Sequence, residues 1–345
     1  MARWNKRLGY VDCFAGPGEY AGGEPGSPIV ALDIACQFLA PGPLKPGQLT
    51  TVFIEAKKRR YEHLVDRCAT FRAAHPSVSA IEIETLYGRY DEKIADVHTR
   101  LMNRASGSGP IFYFIDPFGV KDMPFDLLRL LLAPERSEIL FTFMYEEMNR
   151  FLTTPEFEEH LNLMFGQPDW QTLRALNGAE RKRETVNYFK ERFISAGANY
   201  VVAFEMRNAR NATDYFLVFA TKNIRGLEVM KQAMWEVDKS GNFTFSDYTY
   251  SLGPMLIEPC PDYAPLQRQI SAAFLNRRNV DMAEIREFVL TSTSFYRFMN
   301  EALQPMIARN ECYVETPSRS ARPDRDSIIS FVTRAGTPMR LFGDT

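Results

Sequence analysis

Near its start the chain reads Tyr10-Val-Asp-Cys-Phe-Ala-Gly-Pro-Gly18. An apolar run ends on an acid, Asp12, and two glycines, Gly16 and Gly18, close a tight turn directly after it. A strand that runs into such a turn is the opening unit of an open α/β sheet, and ligands of that fold sit outside the carboxyl ends of the strands. Two later segments repeat the plan. Val52-Phe-Ile-Glu55 ends a second apolar run on an acid, and Ile111-Phe-Tyr-Phe-Ile-Asp-Pro-Phe-Gly119 ends another on Asp-Pro-Phe-Gly.

The alternation around these segments sets the fold class. Strands are expected over 8–13, 50–55, 79–86, 111–115, 138–144, 200–206 and 215–220. Helices are expected over 27–39, 57–71, 91–105, 125–132, 155–165, 183–196 and 227–237. This predicts an α/β protein with a doubly wound, Rossmann-like parallel sheet. After Gly253-Pro254 and Glu258-Pro-Cys-Pro-Asp262, which read as a linker, the pattern changes. A helix over 266–275, a short lead-in and second helix within 280–290, and a third helix over 291–309, then strands over 311–315 and 327–332, predict a C-terminal winged-helix domain. The 345 residues therefore divide into a domain over 1–255 and a winged-helix-like one over 264–345.

Composition narrows the function classes. A net charge of −2 with 24% charged residues carries no global basic signature for nucleic acid. The five cysteines show no paired Cys-x-x-Cys spacing and the four histidines are scattered, so no metal site and no disulfide framework are expected. No apolar run approaches the roughly 20 residues of a membrane span. The expectation is a cytoplasmic protein without a membrane segment.

The turn and the second acid define a cofactor site. Backbone at Phe14, Ala15, Gly16 and Gly18 can approach a ligand closely, because glycine has no side chain in the way. Glu55, 37 residues after Gly18, can accept both hydrogen bonds of a ribose diol. A dinucleotide is disfavoured because Glu19 follows the turn and would repel a pyrophosphate. S-adenosylmethionine (SAM) carries no phosphate and escapes that objection. Leu86-Tyr-Gly-Arg-Tyr90 is expected beside the adenine. Arg89 stands where an acid would accept the adenine amine, so the adenine would be held by backbone at Gly88 and Arg89 or by another group.

Asp116, Pro117 and Phe118 form the expected reaction loop. It resembles the Asp-Pro-Pro-(Tyr/Phe) loop of amino-group methyltransferases. An amine that is methylated loses a proton, so it needs acceptors that aim its lone pair: the Asp116 carboxylate and the Pro117 carbonyl. Phe118 can stack on a planar substrate. Glu146, Glu147, Asn149 and Arg150 are the next candidates. Pro259-Cys260 imitates the Pro-Cys nucleophile of cytosine ring-carbon methyltransferases, but it falls in the linker and is read as structural.

Taken together, these segments resemble the three-Cys-motif partner family of bacteria and phages. The match is carried by the stretch from Tyr10 to Pro28, Val52–Glu55, Phe114–Gly119, Phe165-Gly166 with Trp170, Tyr215–Thr221 and Met234-Trp235. The resemblance implies a SAM-methyltransferase-like fold with a C-terminal winged-helix-like segment. It further implies a partner protein with three cysteines in a radical-SAM-like pattern, from which the family takes its name. Arg89 and the short segment ahead of the first strand depart from the family pattern. The function expected is SAM-dependent methyl transfer to an amino nitrogen, with nucleic acid as substrate. The alternative is a non-catalytic scaffold that docks on the three-cysteine protein. From Leu266 onward the chain holds 11 Arg, no Lys and 9 acids. Arginine without lysine suits phosphate and base contacts, and Arg319, Arg322 and Arg325 mark the wing as the place for DNA or RNA contact.

Overall fold

The computed structural model describes residues 7–39, 48–76, 80–103, 109–119, 123–240, 243–246, 261–315 and 323–331. By internal contacts the chain divides into two units, one over 1–226 with 246–248 and one over 227–245 with 249–345. The crossing falls inside a helix rather than in the stretch between 255 and 264, where the sequence reading draws the boundary.

The first unit is built on β1 (Leu8–Asp12), β2 (Leu49–Glu55), β3 (Ile81–Tyr87), β4 (Ile111–Ile115), β5 (Ser137–Phe143), β6 (Tyr200–Arg207) and β7 (Thr213–Thr221). The sheet order is β3-β2-β1-β4-β5-β7-β6, with a three-residue strand, β8 (Thr244–Ser246), at the β6 edge. Pairings from β3 through β5 are parallel, and β7 is antiparallel to both β5 and β6. The sheet is therefore mixed, which corrects the all-parallel expectation. No helix separates β6 from β7, and only a hairpin closed by Asn208 joins them, with its side chain accepting from the Arg210 and Ala212 N–H groups at 3.0 and 3.2 Å. Two strands joined so tightly must be antiparallel. Among β1–β7 the strand β7 alone is reversed.

Helices cover both faces. On one side α1 (Ser27–Leu39) and α2 (Lys58–Ala74) bury Leu32, Leu64 and Phe71 against Phe53. On the other, α3 (Tyr90–Met102), α4 (Phe125–Leu132), α5 (Tyr145–Phe151), α6 (Glu158–Phe165) and α7 (Gly178–Ser195) meet Val52, Ile54 and the inner strands. Adjacent residues of β2 thus face opposite layers, and a strand buried on both faces reads as one apolar run. The 3₁₀ segment Pro168–Ala175 after α6 holds Trp170, which is fully buried and donates from Nε1 to Asn162 at 2.8 Å. The strand order reverses between β1 and β4, with β2 and β3 laid on one side of β1 and β4 and β5 on the other, so the crevice at their carboxyl ends is the place for a ligand.

The second unit takes most of α8 (Ile224–Val237), then α9 (Ala264–Ala273), β9 (Val280–Asp281), α10 (Met282–Ser292), α11 (Met299–Ala308), β10 (Tyr313–Val314) and β11 (Ile328–Ser330). Its three strands pair antiparallel in the order β10-β11-β9. The expected long third helix is shorter than 291–309. The Thr293 hydroxyl donates to Val289 and accepts from the Phe295 N–H, and Phe298 takes a left-handed φ of 76°, so the helix starts only at Met299. Arg319, Arg322, Cys260 and the linker glycine Gly253 lie outside the described residues. Arg325 is described and points to solvent, with Nε 3.6 Å from Asp326.

Helix α8 belongs with this unit because of two side chains. Trp235 stacks among Phe295, Tyr296 and Phe298, with centroids 5.5, 6.3 and 4.7 Å away. Lys231 is buried, and its ammonium donates to the carbonyls of Leu290 and Thr293 at 2.5 Å each and of Phe295 at 3.5 Å. It thereby serves the carbonyls that α10 leaves open at its end. Replacing Lys231 by Met removes all three bonds and leaves buried acceptors. Urea unfolding of the full chain, followed by tryptophan fluorescence, should show a loss of about 3 kcal/mol for this unit. An unchanged midpoint would mean that these carbonyls do not depend on Lys231.

Candidate cofactor and reaction site

The end of β1 turns on one buried carboxylate. Asp12 is fully buried; Oδ1 accepts the Phe14 N–H at 3.1 Å and Oδ2 accepts the Ser27 hydroxyl at 2.6 Å. The bond to Ser27 fixes the first residue of α1 to the end of β1. Ser27 therefore acts across the fold rather than as a simple cap on its own helix. Burial is the main cause that pushes the Asp12 carboxyl up to about 7, reinforced by Asp116 and Glu55 and opposed by the two hydrogen bonds.

Between these anchors runs the glycine turn. Gly16 and Gly18 take positive φ of 65° and 80°, which L side chains rarely adopt. A β-carbon on Gly16 would meet nothing within 4 Å, whereas one on Gly18 would lie 3.3 Å from Leu64 and 3.4 Å from Arg67. Gly16 thus borders open space and Gly18 packs on α2. One face of α2 holds the whole turn. His63 Nδ1 lies 2.8 Å from the Pro17 carbonyl, which can only accept, so this nitrogen carries the proton. Arg67 pairs with Glu19 at 2.9 Å.

Beside the turn opens a small cleft of about 130 Å³. Glu55, Gly88 and Phe118 line it, together with Arg60, Tyr90 and Asp91. Glu55 is buried at the end of β2, and its Oε1 accepts the Lys57 N–H at 2.6 Å. Among the described residues the other oxygen has no bond, so it remains free for a diol. The Phe14 ring lies 5.3 Å from Tyr90 and 6.5 Å, edge to face, from Phe118, giving the cleft an aromatic wall.

The expected cofactor residues divide accordingly. Phe14, Glu55, Gly88 and Arg89 line the cleft; Asp12, Ala15, Gly16 and Gly18 do not. Ala15 donates its N–H to the Ile54 carbonyl at 2.9 Å and is buried under α1 and α2, so it joins β1 to β2. The Arg89 guanidinium is clamped on the two Asp91 oxygens, each at 3.0 Å. An acid is thus present in the cleft after all, two residues beyond the position where it is expected. The string Gly88-Arg-Tyr-Asp91 contained that signal. Lys57, just ahead of α2, and Arg60 on it were the other omission; a stripe at 60, 63, 64 and 67 on one helix face was the signal there.

Asp116 follows β4 and is largely buried. Burial holds its carboxyl above the usual range, offset in part by a hydrogen bond from the Thr142 hydroxyl. Pro117 is buried, and Phe118 is 71% exposed with the Arg60 guanidinium 5.4 Å from its ring centre. Gly119 has φ of 131°, and a β-carbon there would stand 2.7 Å from Glu147 Oε2. Glu147 of α5 therefore borders the reaction loop, whereas Glu146 and Arg150 are exposed. Of Asp116, Pro117 and Phe118, only Phe118 lines the cleft. Among the described residues no cluster could hold a metal ion, and no helix is long and apolar enough to cross a membrane.

No family model matches this chain, and no curated protein sequence matches it. Solved structures similar to it include a Legionella pneumophila protein of family DUF519, 9% identical, TM-score 0.36, over 64% of this chain and 78% of that one. A precorrin-6y C5,15-methyltransferase from Geobacter metallireducens is 11% identical, TM-score 0.33, over 64% and 83%. A putative rRNA methylase from Clostridium thermocellum is 9% identical, TM-score 0.29, over 64% and 89%.

The Asp12 environment has a consequence for stability. A carboxyl whose folded pKa is raised contributes stability that is complete below the unfolded value of 3.8 and is lost as pH rises through about 7. Wild-type stability, read as melting temperature, should therefore fall between pH 5 and 8. Each tenfold difference in proton affinity between the folded and unfolded chain is worth on the order of 1.4 kcal/mol. Asp12→Asn keeps an acceptor for Phe14 and should flatten this fall. Parallel melting profiles for the two proteins would show that Asp12 does not carry the dependence.

Proposed function

We propose that this chain is a SAM-dependent methyltransferase acting on an amino nitrogen, with nucleic acid as its substrate. The observation that carries the reading is Glu55. It is a buried acid at the end of β2 with one oxygen fixed by the Lys57 N–H and the other open to a cleft walled by Phe14 and Tyr90. That donor set suits an adenosine: an acceptor pair for the ribose and ring faces for the base. Asp91 is the acid nearest the adenine edge, and Gly16, with open space before it, leaves room for an amino-acid end.

When bound, SAM supplies a methyl group on a sulfonium. The chain's own part is to hold and aim the amine. The Asp116 carboxylate and the Pro117 carbonyl accept hydrogen bonds from it and direct its lone pair, and the carboxylate takes up the proton it sheds. Phe118 offers an open ring face to a planar base. The raised Asp116 carboxyl must ionise before it accepts, so turnover should rise with pH through a value above the ordinary carboxylate range. We read the helix–strand–helix–helix–strand–strand order of the second unit as a winged helix whose arginines, Arg319, Arg322 and Arg325, meet a polyanion. Membership of the three-Cys-motif partner family, with its radical-SAM-like three-cysteine protein as companion, is part of the same proposal.

Two substitutions separate binding from chemistry. Glu55→Ala should weaken SAM by about 2–3 kcal/mol in calorimetry, the worth of a charged acceptor. Asp116→Ala should leave SAM affinity within a few-fold and abolish methyl transfer. Wild-type turnover in Asp116→Ala would move the chemistry to Glu147. SAM binding without methyl transfer to DNA, RNA or the co-purified partner would favour the scaffold reading.

A further inference from the structure

The rim of the cleft carries a run of four cations, Lys57, Lys58, Arg59 and Arg60. The first three are exposed and Arg60 is half-buried. They occupy the start of α2, and its first turn holds no acid. The helix dipole is already positive at this end, where acids are the favoured neighbours, so the run works against its own helix. Among the described residues none of the four makes an ion pair. Other cations of this unit are neutralised, among them Arg67 by Glu19, Arg89 by Asp91 and Arg100 by Glu84, whereas these four stand together without an acid.

Open aromatic faces flank the run. On one side Phe118 is 71% exposed and lies under the Arg60 guanidinium at 5.4 Å. On the other, Tyr61 meets the half-exposed Tyr87 at 5.5 Å between ring centres. Phe118 lines the cleft; Tyr61 and Tyr87 do not, but they adjoin in the chain Arg60 and Gly88, which do. Unneutralised cations raise the local potential, and exposed rings beside them are stacking platforms. An acidic peptide would satisfy the cations and leave the rings open. A single nucleic-acid strand satisfies both, with phosphates on the cations and bases on the rings.

We propose that this rim binds the backbone of single-stranded nucleic acid and delivers a base over Phe118 into the cleft. The proposal rests on the methyltransferase reading for the fate of that base, but the binding surface does not. It is separate from the wing arginines and lies wholly within the first unit.

Lys58 and Arg59 do not line the cleft, so they can be changed without touching the cofactor site. The test uses the full chain, Lys58→Gln/Arg59→Gln, and a fluorescein-labelled single strand of about 20 nucleotides, as DNA and as RNA. Anisotropy is read over a salt series without SAM, and SAM is titrated separately by calorimetry. Wild type should bind with a steep salt dependence. The double variant should bind at least about 10-fold more weakly, with a log–log slope shallower by about 1.4, two contacts at ~0.7 each. SAM affinity should stay unchanged. Equal affinity and slope in the two proteins would overturn the proposal, as would absence of salt-dependent binding by wild type. Tighter binding to an acidic peptide than to either strand would also overturn it. Strand binding without SAM binding would sustain the rim and defeat the methyltransferase reading; SAM binding without strand binding would do the reverse.

Discussion

Everything at the carboxyl end of this sheet hangs from the Asp12 carboxylate. It is wholly buried, and it ties the Phe14 N–H of the turn to the Ser27 hydroxyl at the start of α1. Without that bridge the loop from Gly16 to Gly26 would have one end fixed and one end loose. Burial of a carboxyl is costly, and Asp116 and Glu55 add like charge to it. A fold that keeps three acids so close at its crevice tolerates an electrostatic penalty there. Asp12 and Asp116 are both pushed above the usual carboxylate range, and perturbed acids are typical of functional sites rather than of inert cores.

The second element of the site is α2, which acts as a clamp and a rim at once. His63, Leu64 and Arg67 secure the glycine turn, while one turn earlier Arg60 covers Phe118. Residues three and four apart on a helix share a face, so one helix can serve both the floor and the mouth of a cleft. This links cofactor site and outer surface mechanically. A change that shifts α2 reaches the turn through His63 and the reaction loop through Arg60.

Much of this was legible in the chain. The apolar runs ending on Asp12, Glu55 and Asp116 located the strand ends, because a buried parallel strand must be apolar on both faces and the first residue past it returns to the surface or the cleft. Residues whose role depends on direction were not legible. Asp12 points back into the fold, toward Ser27, and spacing alone cannot distinguish an inward from an outward carboxylate. Arg89 stood where an acid was sought; its side chain reaches Asp91, and that pairing exists only once α3 has formed. The reversed β7 escaped because strand alternation was counted through the hairpin at Asn208. Helix α8 looked like the last helix of the sheet domain, yet Lys231 and Trp235 give it to the second unit, and those contacts lie some 60 residues along the chain.

The account centres on the cleft beside Glu55 as the seat of an adenosine. A crystal structure of the full chain grown with S-adenosylhomocysteine tests that directly. The account predicts the ribose diol on the free Glu55 oxygen, the base between the Phe14 wall and Asp91, and the amino-acid end over Gly16. Density for the ligand elsewhere, or an empty cleft at a saturating concentration, would contradict it.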